Sequence, residues 1–339
     1  MKESSFPSPK EKIEELGQRV DRLRHALLDP DTLRRLLPIR ARLLPHRGSK
    51  SDARAREARF RAASPAYARA LVDVNAFAGQ TRVIELDTLK WWVPILNPGD
   101  EADVQRYVDG QDFPYRVITQ TREVAIGGLM LDLGGNNGRM AVPRAILGDV
   151  TAVYCAEPDP LNYICLVRNV TDNHLAGLVL PDQVAIGSQN GTARLERART
   201  AGGHRVIEDG RVSKAETIDV PAFTLDAWVE RLEIDLEDVS FVKVDVQGSE
   251  LHVLRGASRV LARRHIPWQM EIDPPLLARR GVDLDELYGT LAEHFTHFVD
   301  LNKQVATARV QPTVEMAVRL GYIAGRSDGR TDVLLFSLE

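Results

Sequence analysis

Cysteine is nearly missing from this chain: two thiols, Cys155 and Cys165, in 339 residues. That is too few for a disulfide scaffold or a four-thiolate metal knuckle, and it fits a reducing compartment. Long apolar runs are missing too. Stretches such as Gly127–Leu133 are strand-length, far short of the ~20 residues of a membrane span. The first residues, MKESSFPSPKEKIEEL, hold no apolar core and no small-residue cleavage site, so no secretory leader is read and the cytoplasm is the expected address. No G-x-S-x-G, H-E-x-x-H or Walker A sequence occurs, which sets aside a nucleophile-elbow hydrolase, a zinc protease and a P-loop enzyme. Zinc-finger, RNP and helix-turn-helix signatures are absent as well, and nucleic acid is not an expected partner.

What is present is ordinary globular composition, with 44% hydrophobic and 27% charged residues, near the averages for folded soluble domains. The charge is unevenly placed. Residues 1–70 carry 17 Lys/Arg and 9 Asp/Glu, whereas the rest of the chain carries 27 and 39. A basic head on an acidic body predicts two parts, a helical extension over 1–80 and a larger domain over 81–339. Ile13, Leu16, Val20, Leu23 and Leu27 step by 3 and 4, which lines one helix face with an apolar seam. His46–Ala63 reads as a linker or an exposed helix. The head is a candidate for homo-oligomerisation or for peripheral contact with an anionic membrane surface.

From about residue 80, strand candidates Arg82–Leu86, Leu129–Leu133, Ala152–Ala156, Leu178–Leu180, Phe241–Val246, Trp268–Ile272 and Val333–Ser337 alternate with helical stretches that include Gly248–Leu261 and Leu276–Phe295. This alternation predicts an α/β, doubly wound, mostly parallel sheet covered on both faces. In such sheets ligands bind beyond the carboxyl ends of the strands.

Leu129-Met-Leu-Asp132-Leu-Gly134-Gly-Asn136-Asn-Gly138 is an apolar strand that ends in an acid and a glycine-rich turn. A dinucleotide pyrophosphate favours G-x-G-x-x-G here and disfavours a carboxylate at the strand tip. The spacing is D-x-G-x-x-x-G, and Asp132 suits the cationic ammonium and sulfonium of S-adenosylmethionine. Glu157 closes the next strand 19 residues after Gly138, close to the ~20-residue offset of a ribose-binding acid. An NAD(P)-dependent oxidoreductase remains the rival reading, and a non-catalytic binding protein working through the basic head is a second.

Five motifs then line up in one order. Asp132-Leu-Gly134-Gly-Asn136-Asn-Gly138 resembles the D-x-G-A-N-x-G turn of FkbM-type methyltransferases. Ala156-Glu157-Pro158-Asp159-Pro160 resembles their E-P-x-P segment, with Asn169 and Asn173 at the usual spacing after it. Val184-Ala-Ile-Gly187 with Gly191, and Thr224-Leu-Asp226, match the next two segments. Lys243-Val-Asp245-Val-Gln247-Gly248-Ser-Glu250 is similar to K-I-D-V-E-G-x-E. The resemblance spans about 125–275 and implies a class I, Rossmann-like methyltransferase that transfers a methyl group from S-adenosylmethionine to a hydroxyl of a sugar-containing acceptor. It implies that Asp132, Gly134, Asn136 and Gly138 surround the methionine end of the donor, with Glu157 at the ribose. Asp182 or Gln183, after the third strand, is the candidate for the adenine edge by position.

An alcohol is a weak nucleophile at neutral pH, so a base or a metal ion belongs beside it. Asp245, Glu250 and Glu271 are the candidate catalytic acids. Asp245 and Glu271, joined by Asp273 at the same strand tip, form a candidate Mg²⁺ site, since that ion prefers oxygen ligands. Two positions depart from the family pattern: Gly135, where Ala is common, is expected to be harmless, and Gln247, where Glu is common, removes one acid. Trp91-Trp92 before the first cofactor strand reads as packing of a cap rather than a sugar-stacking wall.

Overall fold

The structure is a computed structural model that describes residues 49–338, apart from 74–76, 87–88, 97–99, 109–113, 126, 199, 208–214, 302–309 and 325–328. The heptad-spaced segment 13–27 lies outside the described residues. No helix among those described is long and apolar enough to cross a membrane.

Helices α1 (Lys50–Ala63) and α2 (Pro65–Val72) come first, followed by an antiparallel hairpin of β1 (Thr81–Leu86) and β2 (Leu89–Pro94) and by helices α3 (Asp100–Val108) and α4 (Tyr115–Ala125). Strand–helix alternation then begins: β3 (Leu129–Leu133), α5 (Ala141–Leu147), β4 (Ala152–Ala156), α6 (Pro160–Thr171) and β5 (Val179–Asp182). A small sheet interrupts it, built from β6 (Ala185–Gly187), β7 (Gly191–Glu196), β8 (Arg205–Ile207) and β9 (Thr217–Thr224). The main sheet resumes with α7 (Leu225–Arg231), β10 (Val239–Val244), α8 (Glu250–Arg255), α9 (Ser258–Leu261), β11 (Trp268–Ile272), α10 (Pro274–Arg279) and α11 (Leu284–His294). It closes with β12 (His297–Asp300), β13 (Val310–Pro312), α12 (Met316–Ala324) and β14 (Thr331–Phe336).

The eight main strands lie in the order β13-β12-β14-β11-β10-β3-β4-β5, parallel from β11 through β5 and antiparallel at β14, β12 and β13. Both faces are covered. Leu131 and Leu133 enter one core with Val242, Val244 and Trp268, while Met130 enters the other with Phe241 and Val153. Near-continuous burial is what parallel strands covered on both sides demand. Strand order reverses between β3 and β10, so their carboxyl ends open a crevice there.

The expected α/β sheet is present, and β3, β4 and β11 occupy the residues read from the sequence. Two helical stretches are broken where they were expected to run on. Gly248–Leu261 becomes α8 and α9, and Gly256 sits between them because a Cβ there would stand 2.2 Å from the Gly187 carbonyl oxygen. Leu276–Phe295 becomes α10 and α11, separated around Gly281 at φ +68°, a left-handed conformation that ends a helix.

Helices α1 and α2 pack on the sheet's flank. Phe60 and Tyr67 are buried with Tyr154 of β4, at ring distances of 5.4 and 6.0 Å from Phe60. Arg56 donates to the Gly177 carbonyl at 2.8 Å and Arg231 to that of Ala63 at 2.8 Å. Trp91 is fully buried and lies 5.7 Å from Tyr107, and Arg168 stacks 4.3 Å over Trp92. Both tryptophans pack the hairpin onto the body.

Candidate active site

The glycine turn after β3 is fixed by its own backbone. Gly134 and Gly135 N–H both donate to the Ala156 carbonyl at 3.0 Å, and Asn136 N–H donates to Glu157 Oε2 at 2.7 Å. Gly134 has φ +81°, and a Cβ on it would meet the Asp245 carbonyl oxygen at 1.9 Å, so the turn can lie against the end of β10 only with glycine there. Gly135 has a different reason. Its Cβ would stand 2.0 Å from Cys155 Sγ, and the thiol in β4 therefore accounts for glycine where the resembling family carries alanine.

Asp132 lies beneath this turn, fully buried. Lys243 Nζ reaches its Oδ1 at 3.2 Å, the Gly134 carbonyl at 3.0 Å and Asp245 Oδ2 at 3.4 Å, and the Cys155 thiol donates to Asp132 Oδ2 at 3.7 Å. The cation that Asp132 holds is thus an internal ammonium. Burial alone would lower the Lys243 pKa, but Asp132 and Asp245 together raise it above the ordinary lysine value.

Above the turn opens a cavity of about 760 Å³ that runs from the end of β4 to the ends of β10 and β11. Glu157 lies in it, 5% exposed, its Oε1 accepting from Asp159 N–H at 2.9 Å and its Oε2 from Asn136 N–H. Burial pushes this carboxyl up to about 8, with Asp159 adding to the rise. A carboxylate offers about four lone-pair positions, so acceptor capacity remains for a diol. Beside it, Val184, Ile186, Leu195 and Val206 form an apolar wall. The loop between β7 and β8 overhangs this end. Arg197 Nε and His204 Nε2 lie 3.0 and 3.6 Å from Asp159 Oδ2, whose other oxygen caps α6 through Leu161 and Asn162 N–H.

At the other end Gln247, at φ +56°, turns its side-chain amide between two acids. Its Nε2 donates to Asp245 Oδ1 at 2.7 Å and to Glu271 Oε2 at 3.0 Å. Burial favours the neutral form of Asp245, but Lys243, the Gln247 amide and Arg139 outweigh it and hold the carboxyl below its usual value. Glu271 goes the other way: burial, Asp245 and Asp332 hold it well above the usual range, with Arg330 Nη1 3.5 Å from its Oε1. The two neighbouring carboxyls at this end are thus displaced in opposite directions, Asp245 toward its charged form and Glu271 toward its neutral form.

The structure brings Gly134, Asn136, Glu157, Asp245 and Glu271 together on this cavity. The remaining expected positions do not line it. Asp132 lies under the turn, and a Cβ on Gly138 (φ +94°) would press on Leu166 and Val142 at 2.9 and 3.0 Å. Asp182 is directed into the protein, where Ser64 Oγ donates at 2.7 Å, Trp228 Nε1 at 2.8 Å, and Arg231 closes an ion pair. Its side chain anchors α2 and α7, and neither it nor Gln183 beside it lines the cavity. Glu250 folds back onto its own loop, 2% exposed, accepting from Gly248 N–H at 3.1 Å. Burial lifts it to about 7. Asp273 caps α10 by accepting from Leu276 N–H at 2.7 Å. The expected Mg²⁺ triad is thus dispersed: Asp273 points elsewhere and an amide joins the other two. Among the described residues no group of three metal-ligating side chains converges.

Two working residues carried no role in the sequence reading. Lys243 was visible as the first residue of its motif, yet its target, 111 positions earlier, is set by the β3–β10 pairing of Asp132 with Lys243. Gln247 was read as a lost acid, whereas the structure makes it a donor to two acids.

A main sheet with parallel β5-β4-β3-β10-β11, an antiparallel β14 beside β11, and a glycine turn and a buried acid after β3 and β4 is the class I methyltransferase architecture. Residues 132–297 match the family model of the Methyltransferase FkbM domain, and the chain carries that domain. The hexuronic acid methyltransferase AglP of Haloferax volcanii is 30% identical over 135 residues, 39% of this chain and 51% of that protein, so the match spans about half of the curated relative. The solved methyltransferase FkbM of Methylobacillus flagellatus aligns over 62% of this chain and 44% of its own at 17% identity, TM-score 0.38. The Bacillus subtilis tRNA methyltransferase TrmK aligns over 66% and 65% at 8% identity, TM-score 0.36.

Proposed function

We propose that this chain is an S-adenosylmethionine-dependent O-methyltransferase whose acceptor is a hydroxyl of a sugar-containing molecule: a polysaccharide, a glycolipid or a glycosylated natural product. The observation that carries this is a single cavity with a buried carboxyl, Glu157, at one end and Asp245, whose charged form Lys243 and Gln247 favour, at the other. Glu157 and the apolar wall of Val184, Ile186 and Leu195 fit a nucleoside, with the turn at Gly134–Asn137 lying against the methionine end. The donor supplies a methyl group on a sulfonium, an electrophile that needs no metal. Asp245 takes the acceptor's hydroxyl proton, since Lys243 and the Gln247 amide favour its charged form while burial and Asp245 itself disfavour that of Glu271. Glu271, 3.0 Å from the same Gln247 amide, hydrogen-bonds a neighbouring sugar hydroxyl. The sugar in the name of the Haloferax relative supports this acceptor class.

The test is calorimetric titration with S-adenosylmethionine, S-adenosylhomocysteine and NAD(P)H, using wild type, Glu157→Ala and Asp245→Asn. Binding of the two sulfur compounds, lost in Glu157→Ala and kept in Asp245→Asn, is expected. Incubation with cell-envelope glycans should then add one methyl mass in wild type and none in Asp245→Asn. Binding of NAD(P)H alone, or of nothing, sinks the reading.

A further inference from the structure

Asn169, in the last turn of α6, and Asn173, in the turn just after it, stand four residues apart, and each pairs its side-chain amide with the backbone of one residue of β2. Trp92 N–H donates to Asn169 Oδ1 at 2.6 Å and its carbonyl accepts from Asn169 Nδ2 at 3.0 Å. Lys90 N–H donates to Asn173 Oδ1 at 3.0 Å and its carbonyl accepts from Asn173 Nδ2 at 2.7 Å. Two residues along a strand advance about 6.6 Å and four residues at helical rise about 6 Å, so the two amides act as a short additional strand along β2. They satisfy backbone groups that a lone hairpin would leave without partners on that edge.

The two amides differ in one respect. Asn169 Nδ2 also donates to the Asn137 carbonyl of the glycine turn at 2.8 Å, while the second bond of Asn173 goes to the Asn169 carbonyl at 2.8 Å. Asn137 answers across the same gap, its Nδ2 donating to the Trp92 carbonyl at 3.2 Å and its Oδ1 accepting from Tyr107 hydroxyl at 3.3 Å. Asn137 and Asn169 are 1% and 0% exposed, so these bonds are made without competition from water. On one side of this network are Asn136 and Glu157, and on the other Val93, Pro94 and Tyr107, all lining the same cavity.

We infer that Asn169 is a positioning residue that ties the cavity wall formed by the β1–β2 hairpin to the turn that receives the methyl donor, so that donor occupancy sets the wall against which the acceptor lies. The inference rests on the donor-binding reading above. Ordering of Asn136–Asn137 by a bound nucleoside holds the Asn137 carbonyl in place, and through Asn169 this fixes Trp92 and the Val93–Pro94 wall that follows it. Asn173 grips the same hairpin without touching the turn, and it is therefore the internal control.

The probe is S-adenosylhomocysteine, with hydrogen–deuterium exchange read at the Lys90 and Trp92 amides and affinity read by calorimetry. In wild type the ligand should slow exchange at both amides. Asn173→Ala should speed exchange at Lys90 yet keep the affinity within about twofold. Asn169→Ala should weaken binding about tenfold, the scale of one buried group left without its hydrogen bond, and ligand should no longer protect the hairpin. Equal affinities in the two variants overturn the coupling, as does wild-type binding that leaves exchange at Lys90 and Trp92 unchanged; this second result needs no variant to fold. Failure of wild type to bind the ligand at all overturns the donor-binding reading, and this inference with it.

Discussion

Lys243 Nζ lies 3.2 Å from Asp132 Oδ1 beneath the glycine turn, with the carboxylate fully buried and the ammonium side chain 8% exposed. Removing one member of such a pair leaves an uncompensated buried charge, which costs about 3–5 kcal/mol, while removing both costs far less. Lys243→Met is therefore expected to lower the unfolding free energy by that amount, and Asp132→Asn combined with Lys243→Met to restore more than half of it. Chemical denaturation of the single and double variants checks this. A double variant as unstable as Lys243→Met would show that the ammonium acts through the Gly134 carbonyl or Asp245 and not through Asp132.

Gly135 and Cys155 make a second coupled pair. An alanine Cβ at 135 would stand 2.0 Å from Cys155 Sγ in a closed strand–turn contact. Overpacking of this kind costs about 1–3 kcal/mol. Gly135→Ala should be destabilised by that amount in wild type and tolerated in Cys155→Ala, where the sulfur is gone. The measurement is a double-mutant cycle by thermal unfolding, with a coupling energy above about 1 kcal/mol expected for groups in contact. Simple additivity would refute it.

These pairs show what was legible in the sequence. Period, turn glycines and strand-end acids are local signals, and they placed β3, β4 and β11, the turn at Gly134 and the cavity acids Glu157, Asp245 and Glu271. Side-chain direction is not local. Asp132 and Asp182 both lie at strand ends, as donor-binding acids should, yet a lysine from β10 takes one, and Ser64, Trp228 and Arg231 take the other. Each partner is supplied by chain far away in sequence. The small sheet of β6 to β9 is not legible because its strands are three to eight residues long and all but the three-residue β6 are only partly buried, so neither period nor apolar content marks most of them. Gln247 is opaque for a related reason: a lone Gln reads as a missing charge, and its role is set by two acids within 3.0 Å of its amide.

Glu157 makes the site pH-sensitive in a defined direction. Burial raises its carboxyl from 4.5 to about 8, so the folded protein holds a proton that the unfolded chain releases. The stability tied to this group is full below about 4.5 and is lost as pH rises toward 8. Accepting hydrogen bonds from a diol requires the ionised form, so affinity for S-adenosylhomocysteine should rise across the same window, by up to about tenfold per pH unit below 8. Calorimetric titrations at pH 6, 7, 8 and 9 measure this. Glu157→Gln should bind more weakly at pH 9 and show a flat profile. A profile in Glu157→Gln as steep as wild type would move the pH dependence to another group.

Phe60 tests whether α1 belongs to the folded body. Its ring is 3% exposed, packed edge-on against Tyr67 and Tyr154, in a helix that is otherwise polar and exposed on most of its surface. A basic arm that merely trails the enzyme would tolerate loss of that ring. In the observed packing, Phe60→Ala opens a cavity between α2 and β4, with an expected cost of about 3–5 kcal/mol. It should also loosen Ser64, whose hydroxyl holds Asp182, and the Asp182 carbonyl that accepts Glu157 N–H at 3.0 Å. A single unfolding transition at lower temperature is therefore expected for Phe60→Ala, together with weaker S-adenosylhomocysteine binding. The exposed control Arg54→Ala should stay within about 0.5 kcal/mol of wild type. If both variants unfold like wild type, the helix is an appendage; if only Phe60→Ala shifts, the acidic body extends back through residue 50 and includes part of the basic head.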